Sequence, residues 1–258
     1  MNTDFYKFVD KNSDTLIITF NGLRRKLIIN NKYRIDNNLK PMSFLMNRSL
    51  DKTNFDVLYL RDKYQCYYLF GFDINNSHCT YKNYVDVIMN VINKKKYKKI
   101  ITIGLSSGGY GVLLTILRSE LKNIVDEVHS FSPQTNCFNS FNRGRFIKTY
   151  NIQCNAMINY IPEKYEVEDI FNMFDLTYDV NNYTDGKCKI FIYVHKQNIM
   201  DMNFIEPIHF DEKFDFIDGT NIKYDQIHKQ KNLFILNFKN GDTHNTIGNV
   251  HKHLINNI

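Results

Sequence analysis

Short apolar segments recur along the chain, and each is followed by residues typical of turns. They are rich in Ile, Val, Phe and Tyr, they have the length of a strand, and several are apolar on both faces, as buried parallel strands are. The segments predicted as strands are TLIITF (15–20), FDVLYL (55–60), KIITIG (99–104), EVHSFS (127–132), CKIFIYV (188–194) and LFILNF (233–238).

Two helical patterns lie between these strands. In the stretch YKNYVDVIMNVINKKK, one face carries apolar residues at helical spacing, which predicts an amphipathic helix that covers a sheet; they are Tyr81, Tyr84, Val85, Ile88 and Ile92. The segment from Ser107 to about Leu121 is apolar on nearly all sides, as a helix buried against the sheet would be. Strands that alternate with helices predict an α/β fold with a mostly parallel central sheet and helices on both faces.

Two segments interrupt this alternation and are too long for plain connections. They are residues 134–187, which contain a helical pattern in EVEDIFNMFDL, and residues 203–232. Each is expected to form either a lid over a site or an additional surface element. Because no shift in composition divides the chain, we expect a single domain over residues 1–258, with 134–187 as the candidate lid or cap.

Charge adds little to this picture. The chain has 258 residues, 43% of them hydrophobic, and a formal net charge of +6 that is densest at KKKYKK, residues 94–99. That run stands where a helix should end, which favours a solvated helix C-terminus over a patch that binds nucleic acid or membrane. We therefore expect no nucleic-acid partner.

Neither the apolar runs nor the cysteines indicate a membrane or an oxidising compartment. No run approaches the roughly 18 apolar residues of a membrane span, and the N-terminus lacks the apolar core of a secretory signal. The cysteines are odd in number and form no C-x-x-C pair, which disfavours a disulfide framework and a zinc site; they are Cys66, Cys79, Cys137, Cys154 and Cys188. The sequence thus predicts no membrane span and a cytoplasmic location.

A glycine-rich turn between a predicted strand and a predicted helix, IITIGLSSGGYGVLL, is the strongest candidate for chemistry. A phosphate-binding P-loop needs a lysine after its glycines, and none follows here. A dinucleotide-binding fingerprint has glycine where Ser106 stands. The remaining motif is G-x-S-x-G, in which a serine nucleophile lies on a sharp turn from a strand into a helix.

The glycine spacing distinguishes the two adjacent serines. So tight a turn crowds the residues two places before and two places after the nucleophile, and these must be small. Around Ser106 they are Gly104 and Gly108, whereas around Ser107 they would include Leu105. Ser106 is therefore the candidate nucleophile, and the backbone N–H of Ser107 is a candidate oxyanion donor. A glycine-rich turn that packs closely under its helix without catalysis is the alternative.

A serine nucleophile needs a histidine base, and the histidine needs a carboxylate that orients it. In open α/β sheets, active residues lie in loops beyond the carboxyl ends of the strands. His244 follows the last predicted strand in such a loop and is the candidate base, with an ordinary loop histidine as the alternative. Asp201, after the preceding strand, is the first candidate acid, and Glu206 and then Asp242 are the next.

With the chain order Ser106, Asp201, His244, the sequence resembles the α/β-hydrolase superfamily, from TLIITFNGL to the C-terminal helical segment. That resemblance implies a second oxyanion donor in the loop after an early strand. Here the loop reads Asn21-Gly22-Leu23, without the histidine of the usual His-Gly pair. Because the donor is a backbone N–H, Gly22 or Leu23 is still expected to supply it.

A narrower resemblance concerns the segments NFDVLYLRDKYQCYYLFG and VHSFSPQT. They are similar to parts of poorly characterised hydrolase-like proteins associated with bacterial surface polysaccharides. This resemblance implies that Arg61 and Asp62 shape the pocket or bind substrate; the alternative is an Arg–Asp pair that ties down a loop. His195, at the end of a predicted strand, is expected to be a structural residue or to line the substrate site.

The predicted function is therefore hydrolysis of a carboxylic ester through an acyl-enzyme on Ser106, with no metal or cofactor required. Arg61, Arg143 and Arg145 are candidates to contact an anionic substrate, although arginines in such insertions are commonly just solvated. Together with the tyrosines, which suit sugar stacking, they hint at a small acyl ester, for example on a glycan. Two alternatives remain: an acyltransferase that uses the same triad, and a non-catalytic module of hydrolase-like fold that binds a glycan or a protein.

Overall fold

In the part of the chain that the structure describes, the fold is built on one eight-stranded sheet and a small two-stranded one. The computed structural model describes residues 5–22, 28–29, 32–33, 50–62, 67–72, 80–135, 175–194, 198, 224–230 and 232–238. Its strands are β1 (Tyr6–Val9), β2 (Thr15–Phe20), β3 (Ile28–Ile29), β4 (Lys32–Tyr33), β5 (Asp56–Leu60), β6 (Lys99–Leu105), β7 (Glu127–Phe131), β8 (Lys189–Val194), β9 (Tyr224–Gln230) and β10 (Leu233–Phe238). Its helices are α1 (Lys82–Ile92), α2 (Ser107–Leu117) and α3 (Thr177–Asn181), with a 3₁₀ turn at Glu120–Asn123.

The large sheet has the order β1-β5-β2-β6-β7-β8-β10-β9. The strands from β5 to β10 in this order run parallel to one another, and only β1 and β9, at the two edges, are antiparallel to their neighbours. The predicted fold class, an α/β fold with a mostly parallel central sheet, is confirmed.

Every strand predicted from the sequence is present, with its ends displaced by no more than one residue. The two antiparallel edge strands were not predicted. Their sequences, YKFV and YDQIHKQ, interleave apolar with charged and amide side chains, as is usual where a strand has only one neighbour. β9 lies inside residues 203–232, so part of that expected insertion extends the sheet.

Alternate side chains of the strands form two apolar clusters, one on each face of the sheet. Leu16, Ile18 and Phe20 of β2 belong to the cluster on the first face, where the buried residues of α1, α2 and α3 also pack. Ile17 of β2 and Ile101 of β6 belong to the cluster on the second face. The central strands are therefore covered on both sides, which explains why they read as continuous apolar runs.

Both helices predicted between the strands form, with one change at a boundary, whereas the helical pattern in EVEDIFNMFDL lies mostly outside the described residues. The predicted apolar face of α1 packs on the first cluster, with Tyr84 and Ile88 fully buried. α2 ends at Leu117, before the predicted end near Leu121. The chain turns there because the Ser119 hydroxyl accepts the Leu121 N–H at 3.2 Å and caps the 3₁₀ turn that follows. None of the helices in the described ranges has the length and apolar character needed to cross a membrane.

The lysine run 94–99 does not form the last turn of α1, which ends at Ile92. Three of its lysines pair with carboxylates. Lys95 Nζ lies 2.6 Å from Asp56 Oδ2, Lys98 Nζ lies 2.9 Å from Asp14 Oδ2, and Lys99 Nζ lies 3.4 Å from Glu127 Oε1. The run therefore follows a helix end, as predicted, although no basic residue lies in the last turn itself.

Candidate active site

The candidate site lies where the strand order reverses. From β2 the chain crosses to β5 on one side and then to β6 on the other, so β2 and β6 are neighbours with their connections leaving in opposite directions. In open parallel sheets, this reversal opens a crevice beyond the carboxyl ends of the strands. The carboxyl end of β2 leads to Gly22 and that of β6 leads to Ser106, so the two predicted site segments are brought together.

Ser106 joins β6 directly to α2 in a strained backbone conformation. Its φ is 57° and its ψ is −122°, a combination that residues with a side chain rarely adopt. Two hydrogen bonds hold it: its N–H donates to Phe131 O of β7 at 2.8 Å, and its carbonyl accepts the Tyr110 N–H at 2.9 Å. The sharp turn from strand to helix predicted from the G-x-S-x-G pattern is therefore present.

The glycines two places before and after Ser106 are required sterically. A Cβ on Gly104 would overlap the carbonyl of Gly108, and a Cβ on Gly108 would overlap Phe20 O at the end of β2. Gly109 is also close-packed, since a Cβ there would lie 2.9 Å from Phe131 O. The turn thus packs its backbone directly against β2 and β7.

The two adjacent serines lie in different environments. Ser107 is only 1% exposed, and its Oγ has no hydrogen-bond partner among the described residues. Ser106 is half-buried, so its side chain is the more accessible of the two. Ser107 is the first residue of α2, and the first N–H groups of a helix have no acceptor within the helix and lie at the positive end of its dipole. This geometry suits a developing negative charge next to Ser106.

Gly22 lies beside this turn. A Cβ built on Gly22 would be 2.8 Å from Leu105 O and 3.9 Å from the Cβ of Ser106. The predicted second oxyanion loop is therefore adjacent to the predicted nucleophile. The close approach also explains why residue 22 is a glycine.

Arg61 and Asp62 follow β5 at the same edge of the sheet, and both are more than nine-tenths buried. Asp62 Oδ2 accepts the backbone N–H of Tyr68 at 3.1 Å. The Arg61 carbonyl accepts the Tyr84 hydroxyl at 3.0 Å. The Asp62 side chain thus holds Tyr68 near the end of β5, while the Arg–Asp pair and contact with substrate both stay predictions.

A second strained residue lies at this edge, and sequence reasoning did not identify it. Ser132, directly after β7, has a φ of 43° and is fully buried, and its N–H donates to Tyr193 O at 2.7 Å. Gln134 and Thr135 beyond it are also buried. One feature of the sequence could have indicated this segment: polar residues and a proline follow the predicted strand directly.

His129 does not belong to the candidate triad. It lies inside β7 on the second face, fully within the core, with Nδ1 2.9 Å from the Tyr193 hydroxyl and Nε2 3.3 Å from Glu127 Oε2. Burial lowers the pKa of His129 despite the nearby Glu127 carboxylate. The buried imidazole is therefore neutral near pH 7, with Tyr193 donating to Nδ1 and the Nε2 proton directed at Glu127.

Several predicted site residues lie outside the described residues, so their roles stay predictions. They are Leu23, Arg143, Arg145, His195, Asp201, Glu206, Asp242 and His244. Within the described ranges, no group of three His, Cys, Asp or Glu side chains is placed to hold a metal ion.

Comparisons with known proteins identify the fold. No family model matches the chain, and no curated protein matches it. Among solved structures, it is similar to mouse alpha/beta hydrolase domain-containing protein 10, with 12% identity over 99% of this chain and 93% of that one and a TM-score of 0.52. It is similar to a protein of unknown function from Staphylococcus aureus, with 13% identity over 97% and 92% of the two chains and a TM-score of 0.55.

A third similar structure is the capsule O-acetyltransferase of Neisseria meningitidis serogroup A, in a mutant form in complex with CoA. The identity is 18% over 80% of this chain and 78% of that one, with a TM-score of 0.51. At these identities, the likenesses concern the fold: the chain has the α/β-hydrolase fold.

Proposed function

We propose that this chain, which has the α/β-hydrolase fold, is a serine hydrolase that cleaves a carboxylic ester through an acyl-enzyme on Ser106. The observation that carries the proposal is the strained backbone of Ser106 at the junction of β6 and α2, with φ 57° and ψ −122°. Strain of this kind persists only where the surrounding structure holds it, and it is concentrated at active sites. The position of Gly22 beside Ser106 supports the same function.

In the proposed reaction, Ser106 Oγ attacks the acyl carbon while His244 takes its proton, and Asp201 orients His244. The N–H of Ser107 and an N–H of the Gly22–Leu23 segment bind the oxyanion. The proton passes from His244 to the leaving alcohol. Water, activated by the same histidine, then hydrolyses the acyl-enzyme and releases the acid.

The proposed substrate is a small acyl ester, for example on a glycan. Arg61, which lies at the carboxyl edge of the sheet, together with Arg143 and Arg145, is proposed to contact an anionic group of that substrate. Hydrolysis rates for acetyl esters with and without a carboxylate on the alcohol test this specificity. We expect Arg61→Gln to raise KM for the anionic ester alone.

A fluorophosphonate probe tests the nucleophile directly. We expect one covalent adduct, which peptide mass spectrometry places on Ser106, and no adduct in Ser106→Ala. Ser107→Ala is the matched variant, because it removes the neighbouring hydroxyl and keeps the backbone N–H, so its adduct should still form on Ser106. An adduct on Ser107 that survives in Ser106→Ala would overturn the assignment.

The acid is tested by comparing Asp201→Asn with Glu206→Gln. If Asp201 orients the base, its variant loses about 10⁴-fold in kcat, as expected when the wrong imidazole tautomer is favoured. The Glu206 variant should then stay close to the wild type. A large loss of kcat in Glu206→Gln, with Asp201→Asn close to the wild type, would assign the orienting acid to Glu206.

An acyltransferase is the second candidate, because an acyl-enzyme on Ser106 reacts with a sugar hydroxyl as readily as with water if the site holds an acceptor. The likeness in fold to a capsule O-acetyltransferase supports acyl transfer as this second function. Product analysis with acetyl-CoA or an acetyl ester as donor, with and without an oligosaccharide acceptor, distinguishes the two. Acetylated sugar formed only with intact Ser106 would indicate transfer, and free acetate alone would indicate hydrolysis.

A further inference from the structure

Two consecutive tyrosines adopt the left-handed backbone conformation. Tyr67 has a φ of 58° and Tyr68 a φ of 66°, and both side chains are buried. A bulky residue in this region is uncommon and strained, so two in succession need tertiary contacts that hold them. The contacts of these two buried side chains therefore hold the backbone in this conformation.

Contacts from four elements hold Tyr68. Its N–H donates to Asp62 Oδ2 at 3.1 Å, in the turn after β5. Its ring makes edge contacts with Phe20 of β2, at 5.2 Å between centroids, and with Tyr84 of α1, at 4.9 Å. On α2, a Cβ on Gly111 would overlap the Tyr68 ring, so this glycine makes room for the aromatic side chain.

The hydroxyl of Tyr68 ends at the loop beside Ser106. It donates to Asn21 O at 2.8 Å, with Leu60 O farther away at 3.4 Å. The N–H of Asn21 donates to Leu60 O at 3.2 Å. Both backbone polar groups of Asn21 are therefore anchored.

Fixing the Asn21 carbonyl also fixes the next N–H. A trans peptide is planar, and its C=O and N–H point in opposite directions. Because Tyr68 holds the Asn21 carbonyl on one side, the Gly22 N–H is directed to the other side. Gly22 is the residue whose Cβ position lies 3.9 Å from Ser106 Cβ.

We propose that Tyr68 is a positioning residue that orients the Gly22 N–H as an oxyanion donor, through its hydrogen bond to the Asn21 carbonyl. This inference rests on the proposed function, since it assigns the residue that prepares the second oxyanion donor of the same site. Burial, and after it the Asp62 charge, raises the pKa of Tyr68 well above its ordinary value. The hydroxyl therefore keeps its proton and remains a donor throughout the pH range of enzyme assays.

Tyr68→Phe tests the inference, because it removes only the hydroxyl and leaves the ring contacts. The matched control is Tyr183→Phe: Tyr183 is also buried, and its hydroxyl donates at 2.8 Å to a backbone carbonyl, that of Cys188, before the amino end of β8 and away from the site. Each variant loses a hydrogen bond from a buried tyrosine to a backbone carbonyl. We therefore expect similar decreases in melting temperature.

The two variants should differ in kcat and in their affinity for a transition-state analogue. With a nitrophenyl acetate ester, we expect Tyr68→Phe to lower kcat roughly 10- to 100-fold with little change in KM, because a misdirected donor affects the transition state more than the ground state. A trifluoromethyl ketone, which forms a tetrahedral adduct on the serine, should bind more weakly by the same factor. Tyr183→Phe should leave kcat and ketone affinity within about twofold of the wild type, as expected for a substitution that does not touch transition-state binding.

The possible outcomes distinguish this inference from the function on which it rests. If the wild type shows turnover that Ser106→Ala abolishes, but Tyr68→Phe and Tyr183→Phe behave alike, the positioning role is overturned and the hydrolase function stands. A change in KM alone would also overturn it. If the wild type shows no turnover and no fluorophosphonate adduct that depend on Ser106, the proposed function fails and this inference fails with it.

Discussion

The glycines near Ser106 differ in the atoms that an added Cβ would contact. Substitutions at these glycines should therefore differ in their effects on stability and on kcat. A Cβ on Gly104 would overlap the Gly108 carbonyl and lie 2.8 Å from Gly109 N, all in the rigid first turn of α2. A Cβ on Gly22 would meet one atom closely, Leu105 O at 2.8 Å, with the next atom at 3.8 Å. The first clash moves a helix against the sheet, and the second displaces only a loop.

We therefore predict that Gly104→Ala lowers the free energy of unfolding by at least about 2 kcal/mol, as an overpacked core does. Gly22→Ala should lower it less, while reducing kcat roughly 10²-fold because the proposed oxyanion loop moves away from Ser106. Urea denaturation and ester hydrolysis on the same samples measure both effects. Equal losses of stability in the two variants would contradict this interpretation of the contacts.

At the scale of elements, aromatic rings of β7 and β8 stack on the second face of the sheet, and a hydrogen bond between His129 and Tyr193 joins the two strands within this aromatic layer. The His129 ring stacks on Phe191 at 5.1 Å, and Phe131 stacks on Tyr193 at 4.3 Å. The hydrogen bond from His129 and the nearby Lys99 charge lower the pKa of Glu127 against the opposing effect of burial. The layer therefore contains a neutral imidazole between a phenol and a carboxylate.

His129 makes the stability of this strand pair depend on pH. In the unfolded chain, the imidazole takes up a proton near pH 6.5, whereas burial lowers its pKa in the fold, so the unfolded state binds more protons below that pH. The free energy of unfolding should thus fall as the pH drops from about 6.5 towards the folded pKa. His129→Gln, which does not titrate, should lack this component.

Urea denaturation at pH 7.5 and pH 5.5 measures the effect. The free-energy difference between wild type and His129→Gln should be smaller at pH 5.5, and titration of the other histidines cancels in this comparison. If the free energies of unfolding of the wild type and His129→Gln differ by the same amount at both pH values, His129 is not buried in its neutral form.

At the scale of the whole molecule, Asp56 ties three distant segments together. This fully buried carboxylate accepts the N–H groups of Lys11 at 2.8 Å and Ser13 at 3.0 Å, before β2. It also accepts the Tyr97 hydroxyl at 2.9 Å and pairs with Lys95 at 2.6 Å, both after α1. Burial opposes the charge, but the hydrogen bonds led by Lys95 outweigh it and lower the pKa of Asp56.

We predict that Asp56→Asn lowers the free energy of unfolding by about 1.5–3 kcal/mol at pH 7, the range for hydrogen bonds to a charged group. Because the folded pKa is depressed, this stabilisation is present above the unfolded pKa of about 3.8 and is lost as the pH falls through the folded pKa. The difference from wild type, measured by denaturation, should therefore shrink below pH 4.

Asp14→Asn is the control for this prediction. Asp14 also forms an ion pair with a lysine, Lys98, but its side chain is 55% exposed, so solvent screens the pair and the loss should be much smaller. Equal effects of the two substitutions would show that the buried network contributes no more than a surface pair.

Local features of the sequence predicted the central strands and the turn at Ser106. Continuous apolar runs such as TLIITF mark strands covered on both faces, and the spacing of Gly104 and Gly108 marks a turn that admits no side chain. Both follow from residues close together in the chain. The edge strands β1 and β9 escaped prediction, because their polar residues break the apolar run and only a neighbouring strand shows that they are paired.

The sequence by itself therefore determined the α/β class, the course of the central strands and the tight turn at Ser106, because each depends on side-chain size and polarity within a few residues. Only the tertiary structure decided that Gly22 lies against Ser106, that Tyr68 anchors Asn21 and that Asp56 joins three segments. Those contacts depend on the order of strands in the sheet. Residues tens of positions apart meet only after the chain has crossed from β2 to β5 and back to β6.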